Sequence, residues 1–144
     1  MRGCRERARE RGSLSAFVAI IAVFFVAISV VVADGARRLS NISRAEDLAS
    51  EAARAAAATL DVGALAAGRA TIDLNEGDGA MIQAEQILVA SGDDVDFQIE
   101  VAEDRLSVRV DVIVQGTAML PGFDIRGYGS HTARVIEPAG LAAP

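Results

Sequence analysis

SLSAFVAIIAVFFVAISVVVA, residues 13–33, contains no charged side chain. At about 1.5 Å of rise per helical residue, this segment is about as long as the roughly 30 Å hydrocarbon core of a bilayer. Its polar residues are Ser13, Ser15 and Ser29. A serine in a helix can return its hydroxyl hydrogen bond to a carbonyl of the preceding turn. The sequence therefore predicts one transmembrane helix over residues 13–33.

The charges on either side of this segment differ in sign. The leader, residues 1–12, carries five arginines and two glutamates, a net charge of +3. This leader predicts a cytoplasmic N-terminus and an extracytoplasmic C-terminal domain at the plasma membrane. Subtracting +3 from the whole-chain charge of -6 leaves -9 for residues 34–144. Because an acidic domain is a poor electrostatic match for nucleic acid or for an anionic lipid surface, we expect no nucleic-acid partner.

A secretory signal peptide is the alternative interpretation, since VVA at residues 31–33 loosely resembles a cleavage site. The apolar segment is about twice as long as a typical signal-peptide core, which favours an anchor that is retained. Lipidation at Cys4 is not expected, because a lipoprotein cysteine follows the apolar segment and Cys4 precedes it. As Cys4 is the single cysteine, an intramolecular disulfide is excluded.

An alanine-rich, proline-free stretch follows the apolar segment and predicts an extracytoplasmic helix over residues 34–62, ended by Gly63 and Gly68. Its apolar residues recur at steps of three and four: Leu39, Ile42, Ala45, Ala49, Ala52, Ala53, Ala56 and Leu60. Because alanine buries little area, this stripe requires a close-packed neighbour. That neighbour is either the protein's own sheet or a second subunit.

The remaining residues predict a small head, residues 63–137, and a disordered tail, residues 138–144. The head should contain, in chain order, a short strand at 70–74 with Ile72 and Leu74 on one face, a turn at 75–79, a helix at 80–90, strands at 95–101 and 106–114, a loop at 119–129 and a strand at 130–136. The predicted fold class is α+β, with an antiparallel sheet of three or four strands.

The two alternating segments in the middle of the head predict a hairpin. If Glu103 and Asp104 form a two-residue loop, Val101 lies opposite Leu106 and the apolar faces of both strands coincide. Because Glu-Asp is not a favoured pair for such a short turn, a longer loop remains an alternative.

Four motifs together suggest a family: RGSLS at residues 11–15, VADGAR at 32–37, RAEDLA at 44–49 with AARAA at 52–56, and LPGF at 120–123 before a strand. They resemble the TadE/TadG-like proteins of tight-adherence (Flp-type) pilus systems, in the short form of high-GC Gram-positive bacteria. The resemblance covers nearly the whole chain. It implies a non-enzymatic minor pilin or pseudopilin-like protein that assembles with similar small subunits, or with itself.

The resemblance also implies a processing site. A prepilin peptidase that cuts after the glycine before the apolar segment would cleave between Gly12 and Ser13. Type IV pilins carry a glutamate five residues into the mature chain, and here that position is Phe17. Subunits would associate through small residues of the membrane helix, and the alanine stripe around Ala49 and Ala56 would extend that contact.

We expect no catalytic residue, cofactor, metal or small-molecule substrate. His131 is the only histidine, and GYGSH at residues 127–131 lacks the order of a nucleophile elbow. Asp73, Asn75 and Asp78 only faintly match a calcium loop, because Asp78 stands where glycine is needed. The alternative function is a single-pass binding or sensor module with an acidic head.

Overall fold

The computed structural model describes residues 3–75, 77–92, 94–120, 122 and 124–135, and within residues 3–14 it describes the backbone only. The elements are α1 (Gly3–Ala58), α2 (Val62–Ala66), α3 (Ala80–Ala90), β1 (Val95–Val101), β2 (Ser107–Gly116) and β3 (Ile125–Arg134). The predicted α+β class is confirmed, with a long N-terminal apolar helix followed by a short helix and an antiparallel sheet. The expected tail at 138–144 lies outside the described residues.

α1 continues through the apolar segment into the head and ends at Ala58, four residues before the predicted end. Thr59 follows it, and the Thr59 hydroxyl donates to the carbonyl of Ala56 at 2.7 Å. Asp61 then begins α2, because its carboxylate accepts from the amides of Gly63 and Ala64 at 2.8 and 3.0 Å. Gly63 therefore lies inside a second helix, and the prediction that it ends the first was wrong.

The sheet is antiparallel, with strand order β1-β2-β3. β1 and β2 pair through Val101 with Val108 and Ile99 with Val110, so the register differs by two residues from the one expected for a two-residue loop. The amide of Ala102 donates to the carbonyl of Ser107, which leaves a four-residue loop at 103–106. Because the shift is an even number of residues, each strand keeps its apolar face on the predicted side.

The third strand begins earlier than predicted. β3 starts at Ile125, whereas the sequence predicts a loop up to residue 129. Gly127 and Gly129 suggested the loop, yet they pair with Val114 and Val112 of the central strand β2. A Cβ on Gly127 would overlap the backbone of Asn41, and one on Gly129 would overlap the backbone of Ala45. The glycines therefore serve the close approach of β3 to α1.

The expected strand at 70–74 is reduced to one bridge between Leu60 and Ile72. Ile72 is fully buried, but Leu74 is 40% exposed, so the two side chains do not share a buried face. The helix at 80–90 has the predicted bounds. Its buried residues are Ala80, Ala84 and Leu88.

The core lies between α1, the inner face of the sheet and α3. Five alanines of the predicted stripe are fully buried: Ala45, Ala49, Ala52, Ala53 and Ala56. They pack in one cluster with alternate valines of β2: Val108, Val110, Val112 and Val114. Leu39 was expected in the stripe but is 69% exposed. Of the two neighbours considered for the alanine stripe, the structure supplies the protein's own sheet.

Candidate functional site at the base of the head

Residues 15–33 of α1 expose a continuous series of apolar side chains. The most apolar 18-residue window of this helix has a mean hydropathy of 3.1, and none of that window is buried. The exposed large apolar side chains between residues 15 and 33 are Phe17, Val18, Ile20, Ile21, Val23, Phe24, Phe25, Val26, Ile28, Val31 and Val32. α1 is thus long and apolar enough to cross a membrane.

Exposure of these side chains to water is costly in free energy. Fully burying one Val, Ile or Phe side chain is worth about 1.5–3 kcal/mol. Because these eleven side chains are between 38% and 70% exposed, covering their remaining surface is worth roughly 10–20 kcal/mol. A typical domain is stable by only about 5–15 kcal/mol. This apolar surface is unfavourable in water and is stabilised by an apolar environment. The Ser29 hydroxyl donates to the Phe25 carbonyl at 2.8 Å, as expected for a helical serine in an apolar setting.

Asp34, the first charged residue after the apolar segment, joins α1 to the loop between β2 and β3. Its Oδ1 accepts from the amide of Met119 at 3.0 Å, and its Oδ2 accepts from the amide of Leu120 at 3.2 Å. The residue is only 7% exposed. Both acceptors belong to a carboxylate, and such charge-assisted hydrogen bonds are stronger than neutral ones. Asp34 therefore fixes the loop to α1 where the apolar segment ends.

Two further side chains of α1 hydrogen-bond the chain between β2 and β3. The Arg37 guanidinium donates to the Thr117 carbonyl at 3.5 Å, and the Asn41 amide donates to the Ile125 carbonyl at 3.4 Å. Asp34, Arg37 and Asn41 are spaced by three and four residues, so they share one face of the helix. This face holds the connection between β2 and β3 along the base of the head.

A mostly apolar cleft lies between this face and the loop. It has a volume of about 220 Å³ and is lined by Val31, Asp34, Gly35, Arg38, Leu120, Asp124 and Ile125. Val31 belongs to the predicted transmembrane segment, whereas Leu120 and Ile125 belong to the head. The cleft thus marks the point where the apolar half of α1 meets the folded domain.

Two of the sequence motifs meet here, since Asp34 of VADGAR accepts from the amide of Leu120 of LPGF. The predicted processing site lies apart from this contact. Gly12 and Ser13 lie within α1, where only the backbone is described. Phe17 is 61% exposed on the apolar half of the helix. The Gly12–Ser13 processing site stays a prediction.

The string GYGSH is a continuous part of β3. Neighbouring side chains of a strand project to opposite faces, so exposed Ser130 and half-buried His131 do not form a nucleophile and base pair. Ser130 instead hydrogen-bonds Asp111 on the outer face of the sheet. This hydrogen bond, with smaller contributions from Arg109, holds the pKa of Asp111 below its usual range.

The polar residues that faintly match a calcium loop bond one another. Asp73 accepts from the amide of Asn75 at 3.0 Å, and the Asn75 side chain donates to Asp78 at 2.9 Å. Within the part of the chain that the structure describes, no three His, Cys, Asp or Glu side chains converge as a metal site. The loop is explained by its internal hydrogen bonds.

Sequence reasoning missed the role of Asp34. Its position directly after the apolar segment was a usable signal, and so was the absence of charge from residue 112 to residue 123. Nothing in the sequence, however, relates Asp34 to an amide 85 residues away. No protein-family model, curated protein or solved structure matches this chain.

Proposed function

We propose that the protein is a non-enzymatic assembly component, minor pilin or pseudopilin-like, of a tight-adherence type pilus or a related secretion system. The observation that carries the proposal is that the two parts of α1 have different surroundings. Residues 15–33 of α1 expose apolar side chains, while its C-terminal half packs in the core of a small head with an antiparallel sheet. This arrangement suits a subunit held in a membrane and presented to similar subunits. The resemblance of the sequence motifs to TadE/TadG-like proteins supports the same role.

In this proposal the leader stays in the cytoplasm and the acidic head faces outward, as the arginines of residues 1–12 favour. Cys4 is the only cysteine and lies in that leader. In the unprocessed chain, a membrane-impermeant maleimide should therefore label Cys4 only after the cells are opened. In a Cys4→Ser background, Val62→Cys on the head should be labelled in sealed cells. The reverse pattern would contradict the proposed orientation.

The surface available for subunit contact is narrower than the sequence suggests. Ala49 and Ala56 were expected to extend a contact between subunits, but both are fully covered by the protein's own sheet. Exposed small residues on the apolar half, such as Ala19 and Ala22, remain accessible. Such residues allow two membrane helices to approach closely.

Disulfide crosslinking in native membranes tests this contact. With Cys4→Ser, single cysteines at Ala19 and at Ala22 should crosslink to a second copy, or to a partner subunit carrying its own cysteine. The matched control is Ala49→Cys, which is buried and should not crosslink. Deleting the gene should abolish pili or secretion. Absence of crosslinks at both positions, together with intact pili after deletion, would instead favour a binding or sensor module.

Processing is tested separately by the intact mass of the protein purified from its native membrane. A chain that begins at Ser13 would support prepilin-type cleavage after Gly12. A full-length chain would make the protein a retained, unprocessed component. A chain that begins near Asp34 would identify the apolar segment as a signal peptide and would contradict membrane anchoring.

A further inference from the structure

The loop between β2 and β3 lies where the bilayer surface should be. Asp34 follows the apolar segment directly, and its carboxylate bonds the amides of Met119 and Leu120. At about 1.5 Å per residue, these amides lie within about one helical turn, ~5 Å, of the end of the apolar segment. The headgroup region on each side of a bilayer is about 5–8 Å thick. The loop therefore falls at the depth of the lipid headgroups.

The chemistry of the loop suits that depth. Met119 is 55% exposed, although its own amide is held by Asp34. Residues 112–123 carry no charge, in a C-terminal domain whose net charge is -9. Arg37 and Arg38 lie beside the loop, on α1 one turn further from the apolar segment. An apolar tip next to arginine side chains is complementary to acyl chains and phosphate groups at a membrane surface.

We propose that the loop of residues 117–120 is a second, peripheral membrane contact, in which Met119 inserts between the lipids next to the transmembrane half of α1. Because the loop lies on one side of α1, this contact would fix the direction in which the head leans over the bilayer. The proposal rests on the membrane anchoring of α1. It is independent of any role in a pilus.

The experiment uses the full chain reconstituted alone in phosphatidylcholine and phosphatidylglycerol vesicles. In a Cys4→Ser background, an environment-sensitive fluorophore is placed on a single cysteine at Met119, Val32 or Val62. Val32 is 64% exposed within the apolar segment, and Val62 is 79% exposed in α2 beyond the far end of α1. Lipids with a nitroxide at a shallow acyl carbon report contact with the bilayer, and iodide reports contact with water.

We expect the Met119 label to be blue-shifted and to lose intensity with nitroxide lipid, as the Val32 label does. The Val62 label should respond to iodide alone. A Met119 label that behaves like the Val62 label would overturn the proposal. A blue shift that grows with protein density but is insensitive to nitroxide lipid would also overturn it, in favour of contact with a second copy.

Two outcomes and one further variant separate the possible causes. If the Val32 label is also insensitive to nitroxide lipid, then α1 is not in the bilayer and both this proposal and membrane anchoring fail. If a pilus role fails while the Met119 label stays lipid-quenched, the peripheral contact stands alone. Asp34→Ala should reduce the quenching at Met119 and leave that at Val32 unchanged, because it releases the loop from α1. Equal quenching at Met119 with and without Asp34 would contradict the role of this carboxylate in holding the contact.

Discussion

Adding one methyl group to β3 tests how α1 is seated on the sheet. In Gly129→Ala, the new Cβ would overlap the backbone of Ala45 and the amide nitrogen of Glu46. Overfilling a packed core costs about 1–3 kcal/mol. The cost here should reach the upper end, about 3 kcal/mol, because a helix backbone has no alternative rotamer and can only move as a whole.

A matched control is available on the neighbouring strand. In Gly116→Ala, the Cβ would first meet the side-chain amide of Asn41, which can rotate away at the loss of its 3.4 Å hydrogen bond to the Ile125 carbonyl. This substitution should therefore cost less than one that displaces a helix backbone. A second control is the double variant Gly129→Ala with Ala45→Gly. It should recover no stability, because the obstacle is the backbone of Ala45 and not its methyl group.

The assay is urea unfolding of the head in the full-length protein in detergent micelles, followed by pulse proteolysis. Urea lowers the free energy of unfolding of small proteins by about 1–3 kcal/mol per M. A loss of about 3 kcal/mol therefore lowers the midpoint by roughly 1–3 M. A Gly129→Ala protein with the wild-type midpoint, or a Gly116→Ala protein that is less stable than Gly129→Ala, would refute the close seating of α1 on β3.

Three further substitutions test the core, the outer face and the base of the head. Val110→Asp should lose several kcal/mol of stability, since it places an unpaired carboxylate at a fully buried position, whereas Thr132→Asp on the exposed face should have little effect on the urea midpoint. Ser130→Ala should raise the pKa of Asp111 toward its usual range, measured by NMR titration. A lowered carboxyl pKa stabilises the fold above the unfolded-state pKa of about 3.9. The stability difference between Ser130→Ala and wild type should therefore be present at neutral pH and disappear in acid. A difference that persists in acid would point to another cause. Asp34→Asn replaces one acceptor oxygen by a donor, so one of the two loop amides should lose hydrogen-exchange protection, at a cost of about 1.5–3 kcal/mol; unchanged protection would mean that these hydrogen bonds do not hold the loop.

Local sequence patterns were sufficient to predict the bounds of two elements, α3 and β1. The helix from Ala80 to Ala90 has its predicted bounds, because apolar spacing within it and the Ser-Gly stop after it are both local signals. β1 was likewise bounded by its strict alternation. The alternation could not fix the register of β2, however, since a shift of two residues leaves every side chain on the same face.

The predictions failed where the role of a residue depends on its contact with a distant part of the chain. Gly127 and Gly129 have the composition of a loop, and only the approach of α1 explains them as strand residues. In the same way, the alanine stripe predicts a close neighbour but does not identify it. Asp34 shows the same limit at the candidate site, because its partners lie beyond the reach of any local pattern.

The unbroken course of α1 has a mechanical consequence. The helix passes from the apolar segment into the head as one continuous element, and at the point where it leaves that segment Asp34 hydrogen-bonds the loop between β2 and β3. From Asp34 to Ala58 it spans about 36 Å, so a 10° change in tilt at the base would displace the far end of the head by about 6 Å. If the helix tilts as a rigid rod, a small change of packing around its apolar segment therefore produces a larger displacement at the far end of the head.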